Sequence, residues 1–245
     1  MKPLRQTASR EGWKHLPIYE AAREKIAYDL AFEVGAPVPP VVLFRRSDPL
    51  TTKGEIEHAC VSLAPYPTFY NLQHVVKRYR KMRRWPNWRI ARRSLSRALP
   101  LHWWIDHYRG VKAKNYVWGE GPNCEPRLLC IDHAAAFNLK MGNCERMRVP
   151  SEIGFEGSWL DTREASVTAD RIQALEESQI SEIVNRIPDD FMPEEYRAKV
   201  LQFALERRER LKEIMDERLY RKTKSTFSSG RCIHLGGEAI PERAR

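Results

Sequence analysis

The chain has 245 residues, of which 42% are hydrophobic and 30% are charged, a balance that fits a folded domain with a sizeable core and excludes wholesale disorder. No apolar run approaches the roughly 18–20 residues of a membrane-spanning helix. The formal charge of +10 is concentrated in residues 74–114, which contain 13 lysines and arginines and one acidic residue, Asp106.

Two features lead us to expect a cytoplasmic protein. The amino terminus, MKPLRQTASR, is polar where a signal peptide would be apolar. The five cysteines are an odd number without a CxxC pair, which indicates reduced thiols. Cys130 lies in an apolar run and is predicted to be a small core residue.

The first third of the chain predicts a helix followed by two strands. Apolar residues four positions apart predict a helix over Glu20–Val34, and Gly35 follows where a helix end favours a left-handed residue. The segment APVPP forbids helix. Val41–Phe44 and His58–Leu63 then have the composition of strands.

The middle of the chain predicts two basic helices and a hairpin. The helices are expected over Leu72–Trp85 and Arg89–Leu99, and Pro100 is expected to break the second. Asn115–Trp118 and Arg127–Ile131 are short apolar runs on either side of a Gly- and Pro-containing loop, so we expect them to pair as strands.

The last third is predicted to be helical. Apolar residues have helical spacing over Thr168–Ile187, and Pro193 suits the first turn of a longer helix that reaches about Tyr220. The tail from Thr223 has no periodicity and is predicted to lack structure.

Asn115 and Asp132 are the strongest candidates for a metal site. Asn115 opens the first strand of the hairpin and Asp132 follows the second, so that one amide oxygen and one carboxylate can meet at the same place. These are ligands that Mg²⁺ accepts together with substrate phosphates. The alternative is that both residues only begin and end strands.

The basic segment 74–114 has two interpretations. Its cations alternate with Trp85, Trp88, Trp103 and Trp104, a mixture that nucleic-acid-binding grooves use. It can equally be a solvated helical face whose tryptophans point into the core. A phosphate-rich partner, such as a nucleotide, a nucleic acid or an acidic membrane surface, stays open.

Several segments together resemble the HipA-like and bacterial phosphatidylinositol 3-/4-kinase-like proteins, a branch of the protein-kinase-like fold. They are MKPL, EKIAYDLA with GAPVPPVVL after it, WIDHYRGVKAKNYVW, LLCIDHAAAF, and IVNRIPDDF followed by a helix with LERRERL. The resemblance extends over nearly the whole chain, from Lys2 to about Tyr220. The GAPVPP block and the AKN and IDH pair are its more specific parts.

The resemblance implies an α+β, protein-kinase-like fold. A small amino-terminal α/β lobe would comprise residues 1–70, with the lysine, the helix, the strands and the hinge. A larger, mostly helical lobe would comprise residues 71–222 with the hairpin, and residues 223–245 would form a disordered tail. The site would lie between the lobes.

The resemblance also implies an ATP site. Lys2 would hold the nucleotide phosphates and Glu24 would pair with it, with Lys14 as the alternative lysine. Ser62 and Leu63 would belong to the hinge strand whose backbone meets adenine. The glycine loop that usually precedes this lysine is missing before Lys2, and we expect a shortened form of the lobe.

Asn115 and Asp132 would be the two Mg²⁺ ligands by the same resemblance. Related proteins carry a catalytic Asp five residues before the Asn, but Gly110 occupies that position here, and Lys112 occupies the position of a usual His. Asp106 would replace the missing base only if the loop has a different conformation.

Three functions follow as hypotheses. The first is an ATP-dependent phosphotransferase acting on an acceptor that the sequence does not identify but that the basic segment leads us to expect to be anionic. The second is a nucleotide-binding pseudokinase that acts as a scaffold. The third is a basic nucleic-acid-binding module, which would need an exposed stripe of cations with exposed tryptophans.

Overall fold

The computed structural model describes residues 19–47, 56–63, 66, 68–79, 84–107, 113–121, 124–137 and 160–216. Its helices are α1 (Glu20–Glu33), α2 (Leu72–Tyr79), α3 (Trp88–Trp104), α4 (Thr162–Ala174), α5 (Glu177–Asn185) and α6 (Glu194–Glu209). Its strands are β1 (Val41–Ser47), β2 (Ile56–Ser62), β3 (Thr68–Asn71), β4 (Tyr116–Gly121) and β5 (Cys124–Cys130). Small sheets combined with mostly helical structure confirm the α+β class.

The first helix and the two strands after it are confirmed as α1, β1 and β2. α1 ends in a Schellman motif, in which Gly35 N donates to Phe32 O at 3.0 Å and Ala36 N donates to Ala31 O at 2.9 Å. Gly35 is the left-handed residue of this motif, with a φ of 66°. β1 and β2 pair antiparallel, and both strands contact α1.

A second sheet has the strand order β3, β4, β5, and all its pairs are antiparallel. The predicted hairpin is confirmed, with Tyr116 opposite Cys130 and Trp118 opposite Leu128. Strand β3 was not expected from the sequence. It has only four residues, too few for an alternating pattern to stand out, so its pairing with β4 decides its conformation.

Two predictions about the basic helices are wrong. α2 is described over Leu72–Tyr79, residues 80–83 lie outside the described residues, and Trp85, the predicted end, lies in a bend. α3 continues through Pro100 to Trp104. A proline removes one hydrogen bond of a helix. Every residue from Ala98 to Ile105 is buried, so packing on both sides of Pro100 offsets that loss.

The predicted helical run over Thr168–Ile187 is also wrong, because it is divided between α4 and α5. Glu176 is the reason for the break. Its backbone is extended, and it forms a capping box with Gln179, in which each side chain accepts a hydrogen bond from the other residue's backbone N–H. Pro193 immediately precedes α6, close to its predicted position, and residues 211–216 are helical after a turn.

One hydrophobic core includes residues of α1, α3, the second sheet and the carboxyl-terminal helices. Trp104 is buried at its centre, and its Nε1 donates to Ala204 O at 2.8 Å. Arg207 is buried beside it and donates to the carbonyl oxygens of Trp103 and Trp104. The boundary after residue 70 stays a prediction, and residues 223–245 lie outside the described residues. Within the described residues, no helix has the length and apolar character needed to cross a membrane.

Candidate functional site

The loop that follows β5, residues 131–137, is the centre of the candidate site. It contains Asp132, which is exposed and has a left-handed backbone with a φ of 65°. Arg23 of α1 holds this loop. Its guanidinium is buried and donates to Ala136 O at 2.6 Å and to Ala134 O at 2.5 Å. Desolvation lowers the pKa of Arg23 to about 10, so it stays charged at neutral pH.

Glu24 lies on the same turn of α1 and faces the same loop. Its side chain is only 4% exposed and accepts a hydrogen bond from His133 N, while its Oε2 atom is buried without a hydrogen-bond partner among the described residues. Burial, reinforced by the nearby negative charge of Asp132, raises the pKa of Glu24 from 4.5 to about 8. A cation placed here would restore the ionised form.

Asn115 is the last residue of a short 3₁₀ turn, Ala113–Asn115, immediately before β4. It is buried, and its carbonyl oxygen accepts a hydrogen bond from Ile131 N at 2.8 Å. Asn71 at the end of β3 supports the turn, because its Nδ2 donates to Lys114 O at 2.7 Å. The backbone contact between Asn115 and Ile131 therefore places Asn115 beside the residue that precedes Asp132.

Asp106 is the second residue after the end of α3 and belongs to the motif that ends this helix. It is 4% exposed and has a φ of 50°. His107 N donates to His102 O at 2.9 Å, the long-range bond of a Schellman motif in which Asp106 is the left-handed residue. Phe137 N donates to Ile105 O at 2.7 Å, so the end of α3 is joined to the far end of the 131–137 loop. Gly110 and Lys112 lie outside the described residues.

Ser62 and Leu63, the residues predicted for the hinge, are exposed at the end of β2. Leu63 N donates to Pro40 O at 2.8 Å, which ties this end to the segment that leads into β1. Lys2 and the alternative Lys14 lie outside the described residues. Their roles therefore stay predictions.

Three buried histidines beside this loop were not recognised as a group from the sequence. His102, His107 and His133 are each fully buried, and one ring nitrogen from each lies within 4.8 Å of the others. Two of them follow an aspartate, as Asp106-His107 and Asp132-His133, and this repeated pair was the available signal. Burial lowers the pKa of His102 to about 3 and that of His133 well below its usual value.

The tryptophans of the basic segment do not form an exposed stacking surface. Trp85, Trp103 and Trp104 are buried, and Trp88 is half-buried. This arrangement contradicts the exposed tryptophans that the nucleic-acid hypothesis required and fits the interpretation as a helical face packed on its tryptophans.

Some of the cations on this face are engaged with α4. Glu164 accepts from Arg93 at 2.9 Å and from Arg97 at 2.7 Å, and Arg92 Nη2 lies 3.9 Å from Asp161 Oδ2. Arg84 and Arg89 are exposed. Part of the positive charge therefore fastens α3 to α4, and part is presented to solvent.

The overall structure is similar to that of a kinase. The crystal structure of the Helicobacter pylori proinflammatory kinase CtkA superposes with a TM-score of 0.55 at 13% sequence identity, covering 86% of this chain and 90% of that one. No family model matches the sequence, and no curated protein does. At this level of identity the likeness extends to the fold alone, and the fold is kinase-like.

Proposed function

We propose that the chain is an ATP-dependent phosphotransferase of the HipA-like and phosphatidylinositol-kinase-like type. The observation that carries the proposal is the meeting of Glu24, Asn115 and Asp132 around one loop of a kinase-like fold. Glu24 accepts from His133 N, next to Asp132, and Asn115 O accepts from Ile131 N. Two residues that are distant in the sequence, Glu24 and Asn115, are thus joined to the loop positions on either side of Asp132.

The donor set fits the cation chemistry of such a site. Asp132 and Asn115 would provide carboxylate and amide oxygens to Mg²⁺, which in kinases neutralises charge on the transferring phosphates. Glu24 has a buried carboxylate oxygen without a hydrogen-bond partner among the described residues, which is what a residue that pairs with a lysine requires. Lys2 is the lysine we assign to it, and the backbone around Ser62 and Leu63 would bind adenine.

The chemistry required of the chain is mainly positioning. Phosphoryl transfer passes through a loose transition state, so a protein contributes alignment and charge stabilisation more than covalent work. The acceptor hydroxyl must lose its proton, and Asp106 is the carboxylate we assign to receive it. Since Asp106 follows the end of α3 and is buried, this role requires the acceptor hydroxyl to reach a buried carboxylate.

A nucleotide-binding pseudokinase is the second candidate, and a specific observation favours it. Gly110 occupies the position at which related proteins have the catalytic Asp, and glycine cannot accept a proton. The metal and lysine positions are unaffected by this change. The pseudokinase would therefore bind MgATP and fail to transfer its phosphoryl group.

Thermal unfolding with and without ATP and Mg²⁺ tests nucleotide binding. A ligand that binds only the folded state increases the free energy of unfolding by mass action, by about 2.7 kcal/mol at a hundredfold excess over Kd, and so raises the melting temperature. We expect wild type to be stabilised by ATP only with Mg²⁺, and Asp132→Asn to lose that stabilisation. Asp170→Asn, which removes an exposed carboxylate from α4, is the matched control.

Phosphoryl transfer separates the two candidates once binding is shown. Labelled ATP should give a labelled protein or released phosphate with wild type, and Asp106→Asn should reduce the rate without removing the ATP-dependent shift. Binding without any turnover would support the pseudokinase. No Mg²⁺-dependent shift in the wild-type chain would refute both.

A further inference from the structure

A cluster of three buried histidines lies beside the 131–137 loop of the candidate site. His102 is in the last turn of α3, His107 follows the turn that ends α3, and His133 is in the 131–137 loop. Their ring centroids are 5.1–5.7 Å apart, and all three side chains are fully buried. The Schellman motif at Asp106 brings His102 and His107 together, since it pairs the residues before and after the turn.

The cluster contains buried polar atoms whose hydrogen bonds are unmet among the described residues. Within the part of the chain that the structure describes, His102 Nδ1 and both ring nitrogens of His133 have no hydrogen-bond partner. Leaving a buried donor or acceptor unsatisfied costs roughly 1–3 kcal/mol, so three such atoms in one place require an explanation.

The second nitrogen of His102 is already oriented. Its Nε2 lies 3.0 Å from Tyr116 Oη and 3.4 Å from Cys130 Sγ. In metal sites a ligating histidine usually donates its other N–H to an outer partner, which fixes the tautomer and the ring orientation. Since Nε2 is engaged by Tyr116, Nδ1 is the nitrogen of His102 that is left for a ligand.

We propose that His102, His107 and His133 bind one Zn²⁺ ion in a structural site that is separate from the Mg²⁺ ligands. Three nitrogens no more than 4.8 Å apart always have a common point within about 2.8 Å of each. Zinc–nitrogen bonds are about 2.0–2.1 Å long, so side-chain movements of under about 1 Å complete the coordination. Neutral, buried imidazole is the form that binds zinc.

A nearby carboxylate would offset the charge of the ion. Asp106, which directly precedes His107, is buried and is the carboxylate we assign to this role; Asp132 stays with the Mg²⁺ site. With water or another oxygen as the fourth ligand, the ion would tie the end of α3 to the 131–137 loop. It would hold in place the segments that carry the candidate catalytic residues without touching the substrate.

Metal content of the wild-type chain is the primary test. The chain is purified without a histidine tag in metal-free buffer, loaded with Zn²⁺ and desalted. Its zinc content is then measured by inductively coupled plasma mass spectrometry. We expect one Zn²⁺ per chain, a lower melting temperature after removal by a strong chelator, and recovery on adding Zn²⁺ alone. Substitution with Co²⁺ should give visible absorption bands of a low-coordinate site.

Variants locate the site. His107→Gln and His133→Gln should each abolish stoichiometric binding, and His74→Gln, which removes an exposed histidine from α2, should not. Tyr116→Phe keeps the ring but removes the partner of His102, and we expect it to weaken Zn²⁺ binding roughly 10–100-fold while the chain stays folded.

The proposal is overturned if the wild-type chain holds no stoichiometric Zn²⁺ and neither chelator nor metal changes its melting temperature. It is also overturned if Zn²⁺ binding survives in folded His107→Gln and in Tyr116→Phe with unchanged affinity. These readouts need no nucleotide, so they are independent of the phosphotransferase proposal.

Discussion

Glu24→Gln is the substitution that tests the electrostatics of the site most directly. The pKa of Glu24 rises from 4.5 to about 8 on folding. Below pH 4.5 the carboxyl is protonated in both states, and the substitution has no pH-dependent effect. Between pH 4.5 and 8 the unfolded chain ionises first, so wild type loses stability relative to the variant. Above pH 8 the stability that wild type has lost relative to the variant is constant at roughly 5 kcal/mol, because each pKa unit of the shift corresponds to about 1.36 kcal/mol.

Urea denaturation of wild type and Glu24→Gln at pH 5 and pH 9 measures this difference. Without a lysine partner, the variant should gain stability relative to wild type as the pH rises, whatever the constant cost of a buried amide; if Lys2 pairs with Glu24, as we propose, this gain should appear only in a Lys2→Met background. Glu33→Gln, at the exposed end of the same helix, controls for loss of a carboxylate. If the effect of Glu24→Gln on the free energy of unfolding does not change with pH, either in wild type or in a Lys2→Met background, the raised pKa of Glu24 is refuted. A difference that appears only with Lys2→Met would instead identify Lys2 as its partner.

Three further outcomes are expected. Gly35→Ala should destabilise by about 1 kcal/mol in urea, because its φ of 66° disfavours a Cβ and that Cβ would lie 2.3 Å from the Arg171 guanidinium. Arg207→Met should cost roughly 3 kcal/mol in thermal unfolding, since it leaves buried carbonyl oxygens of α3 unpaired. Arg84→Glu with Arg89→Glu removes two exposed cations, so any binding to anionic vesicles in a titration should weaken and depend less on salt, while the MgATP shift is unchanged.

The elements that the sequence predicted correctly carry local signals. α1 has apolar residues at helical spacing and a glycine at its end, and Gly35 does adopt the left-handed conformation that ends it. The β4–β5 hairpin has two apolar runs around a turn-forming loop, and its strands pair. In both cases, residues within about fifteen positions of each other determine the outcome.

The errors arise where packing or capping outweighs local preference. Pro100 is an unfavourable helix residue, yet α3 continues because both of its flanks are buried. Conversely, the apolar spacing across Leu175 favours one helix, but the capping box of Glu176 and Gln179 starts a new one. The capping residues were readable in the sequence, whereas the burial around Pro100 was not.

The candidate site was predictable in part for the same reason. The positions of Asn115 and Asp132 follow from the hairpin, because strand pairing fixes which residues lie at its ends. The histidine cluster was not predictable, because His133 is 26 residues from His107 and reaches it only through the tertiary fold. Clusters of this kind depend on loop paths, which local sequence does not specify.

The contacts of α1 fasten it to the 131–137 loop. In protein kinases, the position of the helix that carries the lysine-binding glutamate controls activity. Here Arg23 donates to two carbonyl oxygens of the 131–137 loop, and Glu24 accepts from His133 N in the same loop. Swinging α1 outward would break three buried hydrogen bonds, two of them made by a charged group and worth roughly 1.5–3 kcal/mol each. We therefore expect α1 and the 131–137 loop to move as one body.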